Sequence, residues 1–356
     1  MTNTINRRKL LSVTGQSLLL VGMPKLAYAK SNKNIDILNK ENVGDWTTRK
    51  VKTKINPPNS VSAVMIPLPR LTDTTYQKFL DMQFAGNFKS AQVIRDPVYG
   101  ADALQVNFEK IRNPEVNINF TVQTRNRTAP EPKSATEDVS IYLKPTKHMP
   151  TDGLVKQTAD KITRHIKSPD AKALAIYNWV IDNTFRDPKV KGCGIGDINN
   201  MLSTGNLGGK CADINSLFVG LCRAAGVPAR EFFGIRNGDS EQFKSIGKSG
   251  VISKAQHCRA EFFSEKKTWI AVDPADVRKV VLEENLKLED PKVLSLRKKF
   301  FGFWEMNWIA YNHARDFKFS QGQDREFNFF MYPQSFGADV DSLSPDDFKY
   351  SIETLS

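Results

Sequence analysis

The chain has 356 residues and carries 51 Lys and Arg against 39 Asp and Glu, a formal net charge of +12, so at roughly 150 residues per domain there is room for about two cores. With 40% hydrophobic, 10% aromatic and 25% charged residues it is not a disordered chain, and no stretch beyond the N-terminus is long enough to cross a bilayer. Four cysteines are too few for a disulfide scaffold, and without a C-x-x-C pair neither a zinc ribbon nor a dithiol redox site is encoded.

The N-terminus reads as a targeting segment. Arg7, Arg8 and Lys9 precede an apolar stretch from Leu10 to Met23, followed by Pro24, Lys25 and the small-x-small triplet Ala27-Tyr28-Ala29. The adjacent arginines and an apolar region diluted by Gly15, Gln16 and Ser17 resemble a twin-arginine signal, with an ordinary Sec signal as the alternative. This predicts a signal peptide over 1–29 and export to the periplasm or cell envelope. Removing it lowers the net charge to +8. The remaining charges are scattered, with a basic body and an acidic tail, which is the pattern of a solvated surface. No basic and aromatic motif for nucleic acid is present.

After a polar linker over 30–45, residues 46–146 read as a small antiparallel sandwich or barrel. The clearest strands are Val61 to Leu68, Ala103 to Phe108 and Val116 to Gln123; in the last, Val116, Ile118, Phe120 and Val122 alternate with polar neighbours. Prolines 57, 58, 67, 69, 97 and 114 punctuate these runs, and a Pro-rich stretch ends the unit.

Helices are predicted next, at Leu154 to Ile166 and after Ser168, whose position before Pro169 and Asp170 is that of an N-cap. A third begins near Cys211. From Ile214 the apolar residues Leu217, Phe218, Leu221, Cys222 and Ala225 keep helical spacing until Gly226 and Pro228 stop it. The preceding Gly208-Gly209-Lys210-Cys211 is not a phosphate loop, because Thr204 and Cys211 stand where that motif needs Gly and Ser or Thr. Cys211 therefore sits at a helix start, where unpaired N–H groups and the helix dipole stabilise a thiolate. Cys222 falls in the apolar stripe and is expected to be buried. Cys193, between Gly192 and Gly194, could line the site or pair with another thiol.

A nucleophilic thiol needs a base and the base an orienting group. Gln256 to Phe263 reads as a strand beginning with His257, and Thr268 to Val272 as its return, ending at Asp273. Alternation puts His257, Arg259 and Glu261 on one face and Cys258, Ala260 and Phe262 on the apolar face. Sharing a face requires an odd connecting loop; the expected pairs are Ala260 with Ile270 and Phe262 with Thr268, with the loop centred on Glu265.

The three boxes Gly-Gly-Lys-Cys-Ala-Asp, His-Cys-Arg-Ala-Glu-Phe and Trp-Ile-Ala-Val-Asp-Pro resemble, in order and in element, the Cys, His and Asp boxes of the bacterial transglutaminase-like superfamily. The resemblance implies an α+β fold: a papain-like transglutaminase core over 147–280, with the Cys helix packed on an antiparallel sheet, preceded by the β-sandwich-like domain. It implies the triad Cys211, His257 and Asp273, no cofactor or metal, and a peptide or protein amide substrate, with cell-wall peptide among the options. Asn206 is a candidate oxyanion donor beside the Cys211 N–H. Calcium-dependent transglutaminases of this kind carry further domains that are not recognisable here, which makes water the default acceptor. Protein cross-linking is one alternative, and a catalytically idle envelope-binding module is another. Residues 281–356, with Phe300, Phe301, Phe303, Trp304, Trp308 and Tyr311, are expected to pack on the catalytic core.

Overall fold

The computed structural model describes residues 2–6, 43–128, 130–320, 324–338, 340–344 and 346–355. Of the expected signal over 1–29, residues 7–29 lie outside the described residues, as does most of the linker, while Thr2–Asn6 form a strand. Among the described residues no helix is long and apolar enough to cross a membrane.

The N-terminal half is built from strands β1 (Thr2–Asn6), β2 (Thr47–Asn56), β3 (Ala63–Pro67), β4 (Gln77–Asn87), β5 (Ser90–Arg95), β6 (Asp102–Asn107) and β7 (Glu115–Thr124). Alternation dictates the packing. In β2, Val51, Thr53 and Ile55 are buried while Lys50, Lys52 and Lys54 point outward, and β7 buries Val116, Ile118, Phe120 and Val122. These side chains share one apolar interior with Val64, Ile66, Leu104 and Val106 of β3 and β6, so the two sheets face each other as a sandwich.

A mixed region follows. Its short strand β8 (Glu131–Pro132) precedes helices α1 (Gly153–Ile162) and α2 (Pro169–Asn183). Next come β9 (Phe185–Arg186), α3 (Ile198–Thr204), β10 (Gly208–Gly209), α4 (Cys211–Ala224), β11 (Ala229–Arg236), β12 (Gln256–Phe263) and β13 (Thr268–Val272). Helices α5 (Pro274–Glu283) and α6 (Pro291–Lys299) lead into β14 (Trp308–Asn312). The central sheet has the order β14-β11-β12-β13-β8 and is antiparallel throughout. With α4 packed on it, this region has the expected α+β arrangement of a Cys-bearing helix against an antiparallel sheet.

Two expectations need correction. The β12–β13 ladder pairs Ala260 with Val272 and Phe262 with Ile270, two residues from the expected register though of the same parity. The reason is the turn: Ser264 N–H donates to Thr268 O at 2.8 Å and Lys267 takes a left-handed φ of 59°. That makes a three-residue loop over 265–267, centred on Lys266.

The C-terminal residues do not pack on the core alone. Strand β14 joins the central sheet, but β15 (Gln334–Phe336) pairs with β3, and β16 (Lys349–Leu355) pairs along the length of β2. The edges of the sandwich are open until this later segment supplies the missing strands, which is the physical reason for the crossover.

Helix α4 has no solvated face, for every residue from Cys211 to Ala224 is buried. Its polar side chains find partners instead: Ser216 Oγ donates to Glu231 Oε1 at 2.6 Å and Arg223 Nε to Ala229 O at 2.9 Å.

Candidate active site

Cys211 opens α4, with Lys210 in the N-cap position. As the first helical residue its N–H has no intrahelical acceptor, and the positive end of the helix dipole faces the thiol. Asp213 fixes this start. Its Oδ2 accepts from Lys210 N–H at 2.9 Å, and its Oδ1 accepts from Ile195 and Gly196 N–H at 2.9 and 2.8 Å. One carboxylate thereby ties the helix end to the loop bearing Cys193. Gly194 in that loop has φ +93°, and a Cβ there would meet Asp213 Oδ2 at 1.9 Å, so the close approach demands glycine.

The loop also bonds directly to the helix, since Ala212 N–H donates to Cys193 O at 2.9 Å. Cys193 thus lies beside Cys211, and its own thiol is 3.3 Å from Gln256 O. Cys258 approaches from the sheet, where Asn215 Nδ2 of α4 donates to its carbonyl at 2.7 Å. Among the described residues all four cysteines are free and buried, Cys222 completely.

His257 stands near the start of β12, opposite Gly234 of β11. A Cβ at Gly234 would come within 2.7 Å of the Trp308 ring; its absence lets the indole settle there, and Trp308 Nε1 donates to His257 O at 2.9 Å. The ring Nε2 donates to Asp273 Oδ2 at 2.8 Å, which leaves Nδ1 as the nitrogen for the thiol. Asp273 is also the N-cap of α5, its Oδ1 accepting from Asp276 N–H at 3.1 Å.

Electrostatics favour an ion pair between sulfur and imidazole. Burial alone would push the Cys211 thiol up, but hydrogen bonds from the Cys193 and Cys258 thiols and from His257 hold it well below the ordinary thiol range. The hydrogen bond to Cys211, together with burial, drives Cys193 far upward, and burial followed by the same hydrogen bond does so for Cys258. Both therefore remain thiol donors. Desolvation and Arg236 lower His257, yet Asp276 and Asp273 outweigh them and raise it above the ordinary imidazole value.

Sequence reading missed the outer ring of charge. Asp276 Oδ1 lies 3.4 Å from His257 Nε2 and Arg236 is paired with Asp276, while Arg259 Nε lies 3.6 Å from Asp273 Oδ2. The spacing Asp273-Pro274-Ala275-Asp276 was the available signal, because it is that of an N-cap and its third helical residue. His257, Asp273 and Asp276 present possible ligand atoms within 4.8 Å of one another, but the Arg236 guanidinium already fills the position beside Asp276.

Cys193, Cys211, Gln256 and His257 line a cleft of about 1120 Å³, bordered by Tyr332 and by Tyr350 of β16. The arrangement can deliver a thiolate to a carbonyl carbon and a proton to a leaving group. Asn206 is not part of it. That residue is exposed outside the cleft, its Oδ1 accepting from Gly208 N–H at 3.1 Å, a local turn that the sequence gives no means of orienting.

Residues 156–274 match the transglutaminase-like superfamily. An uncharacterised protein of Haemophilus influenzae is 40% identical over 310 residues, 80% of this chain and 84% of that protein. Among solved structures, a candidate cysteine protease from Cytophaga hutchinsonii aligns at 16% identity and a TM-score of 0.49, over 88% of this chain and 99% of its own. The periplasmic domain of TgpA from Pseudomonas aeruginosa, bound to ethylmercury, aligns at 16% identity and a TM-score of 0.38, over 67% and 93%.

Proposed function

Because the chain belongs to the transglutaminase-like superfamily, we propose that it is an exported thiol-dependent enzyme of the cell envelope that hydrolyses an amide or peptide bond. The observation that carries this reading is a single constellation. The Cys211 thiol at a helix N-terminus shares one cleft with His257, which helps hold it below the ordinary thiol range, and His257 is held at 2.8 Å by the buried Asp273.

In the proposed reaction the Cys211 thiolate attacks the scissile carbonyl, and the Cys211 N–H stabilises the oxyanion. His257 gives its proton to the departing amine, leaving a thioester on Cys211. It then takes a proton from the attacking water, the thioester breaks, and the acid leaves with the thiolate restored. Asp273 keeps the ring oriented and balances the imidazolium charge. The segment from Arg7 to Ala29 supports the export element.

Mass spectrometry after incubation with envelope extract tests this directly. An acyl adduct on Cys211, absent from Cys211→Ala, is expected and would identify the acyl donor. A Cys211 that resists iodoacetamide at neutral pH while another thiol reacts would sink the reading.

A further inference from the structure

The cleft over Cys211 has an unusual charge. Nine of its lining residues are Lys or Arg and none is Asp or Glu. Five of the nine have carboxylate partners outside the lining, such as Glu115 for Lys54 and Glu283 for Arg186. The other four, Lys210, Lys248, Lys254 and Lys349, have no carboxylate within ion-pair distance among the described residues. Lys248, Lys254 and Lys349 are exposed, and Lys210 immediately precedes the nucleophile. They come from three parts of the chain: the start of α4, the segment before β12 and the first residue of β16.

A volume of about 1120 Å³ exceeds what a small-molecule site usually offers, roughly 300–1000 Å³, and suits several residues of an extended chain. One-signed charge on the walls of a cleft focuses the field and selects ligands of opposite sign. The cleft is lined by a thiol and an imidazole, groups that act on an acyl carbon, which points to a peptide instead of a sulfated or phosphorylated polymer.

We propose that the substrate is an acidic peptide segment, whose carboxylates are received by Lys210, Lys248, Lys254 and Lys349 on either side of the bond presented to Cys211. This rests on the hydrolase reading and names its substrate class. The unpaired lysines discriminate by sign. Opposite charge draws the segment into the cleft and like charge rejects a basic one.

Binding to the full-length Cys211→Ala chain separates this proposal from the catalytic one, because it needs no turnover. Fluorescence anisotropy is read with three labelled twelve-residue peptides: Glu- and Asp-rich, neutral, and Lys-rich. The acidic peptide should bind at least ~10-fold more tightly than the neutral one and weaken steeply with salt. Adding Lys248→Glu, Lys254→Glu and Lys349→Glu should abolish that preference, whereas Lys133→Glu, Lys156→Glu and Lys318→Glu, outside the cleft with the same total charge change, should preserve it. Equal binding of the three peptides, loss of preference in the outside variant, or equally tight, lysine-dependent binding of dextran sulfate would overturn it. Binding as expected without any acyl adduct on native Cys211 would remove the hydrolase reading and leave acidic-peptide recognition standing.

Discussion

The β12–β13 ladder ends with Ala260 opposite Val272, so Asp273 lies one step past it and His257 three, yet Asp273 Oδ2 lies 2.8 Å from His257 Nε2. The contact forms because both residues occupy the same face of the hairpin and Asp273 has already turned off the strand to cap α5. Its two oxygens are divided between these tasks.

Asp273→Asn keeps the size of the side chain and an oxygen for the cap but removes the charge that balances the imidazolium. We expect kcat/KM to fall about 10²–10⁴-fold with little change in thermal melting. A variant that melts normally and retains full turnover would show that His257 needs no orienting carboxylate.

The pH profile should be a bell whose limbs belong to the ion pair. Cys211 is held well below the ordinary thiol range, so the thiolate form fills at low pH, and His257 is raised, so the imidazolium persists above the ordinary imidazole value. Activity therefore rises with pH through the first titration and falls through the second. Replacing Cys193 by Ala removes one donor to the sulfur and should move the acid limb upward, with the alkaline limb governed still by His257. Measuring kcat/KM across the range for both proteins decides it; an unmoved acid limb would contradict the role given to Cys193.

Glu261 is a stability prediction. It is buried between two guanidinium groups, Arg127 Nη1 and Arg230 Nε, each at 2.5 Å. Glu261→Gln would leave Arg127 without a carboxylate and Arg230 with Glu137 alone, at a cost of about 3–5 kcal/mol in urea unfolding. Burial opposes the carboxylate, but Arg127 and Arg230 hold it below the ordinary range. The native contribution is therefore present above the unfolded carboxylate value and is lost as pH falls through the lower folded one. The variant should show a flatter acid limb of stability than the native protein.

Gly194→Ala should uncouple the Cys193 loop from the helix. The added methyl collides with Asp213 at a left-handed φ, a strain of order 1–3 kcal/mol, and Asp213 can no longer bind Lys210, Ile195 and Gly196 together. Slower alkylation of Cys211, with the melting transition still cooperative, is the expected readout.

The three boxes were legible because each chemical residue stands beside a local signal: glycines before Cys211, strand alternation around His257, and Pro274 after Asp273. Local signals do not carry the partner of a buried charge. Arg259 and Glu261 read with His257 as the polar face of one strand, yet that face is covered by Trp304 and Trp308 and by Arg127 from before the core, and Arg236 reaches Asp276 from the neighbouring strand. The register slipped by two for a similar reason. Parity follows from which side chains share a face, but the count of loop residues depends on Lys267 accepting a left-handed φ, which nothing in its chemistry announces.

The pairing of β16 with β2 also sets a clock. One border of the cleft, including Lys349, Tyr350 and Ser351, is made after the nucleophile. About 80 residues separate Asp273, the last of the triad, from Ser351, some ~4–16 s of synthesis at roughly 5–20 residues per second. Through that interval the ribosome carries a chain that holds Cys211, His257 and Asp273 but lacks the completed groove that would receive a substrate. Pairing β16 with β2 defers the completed groove until β16 itself has been made.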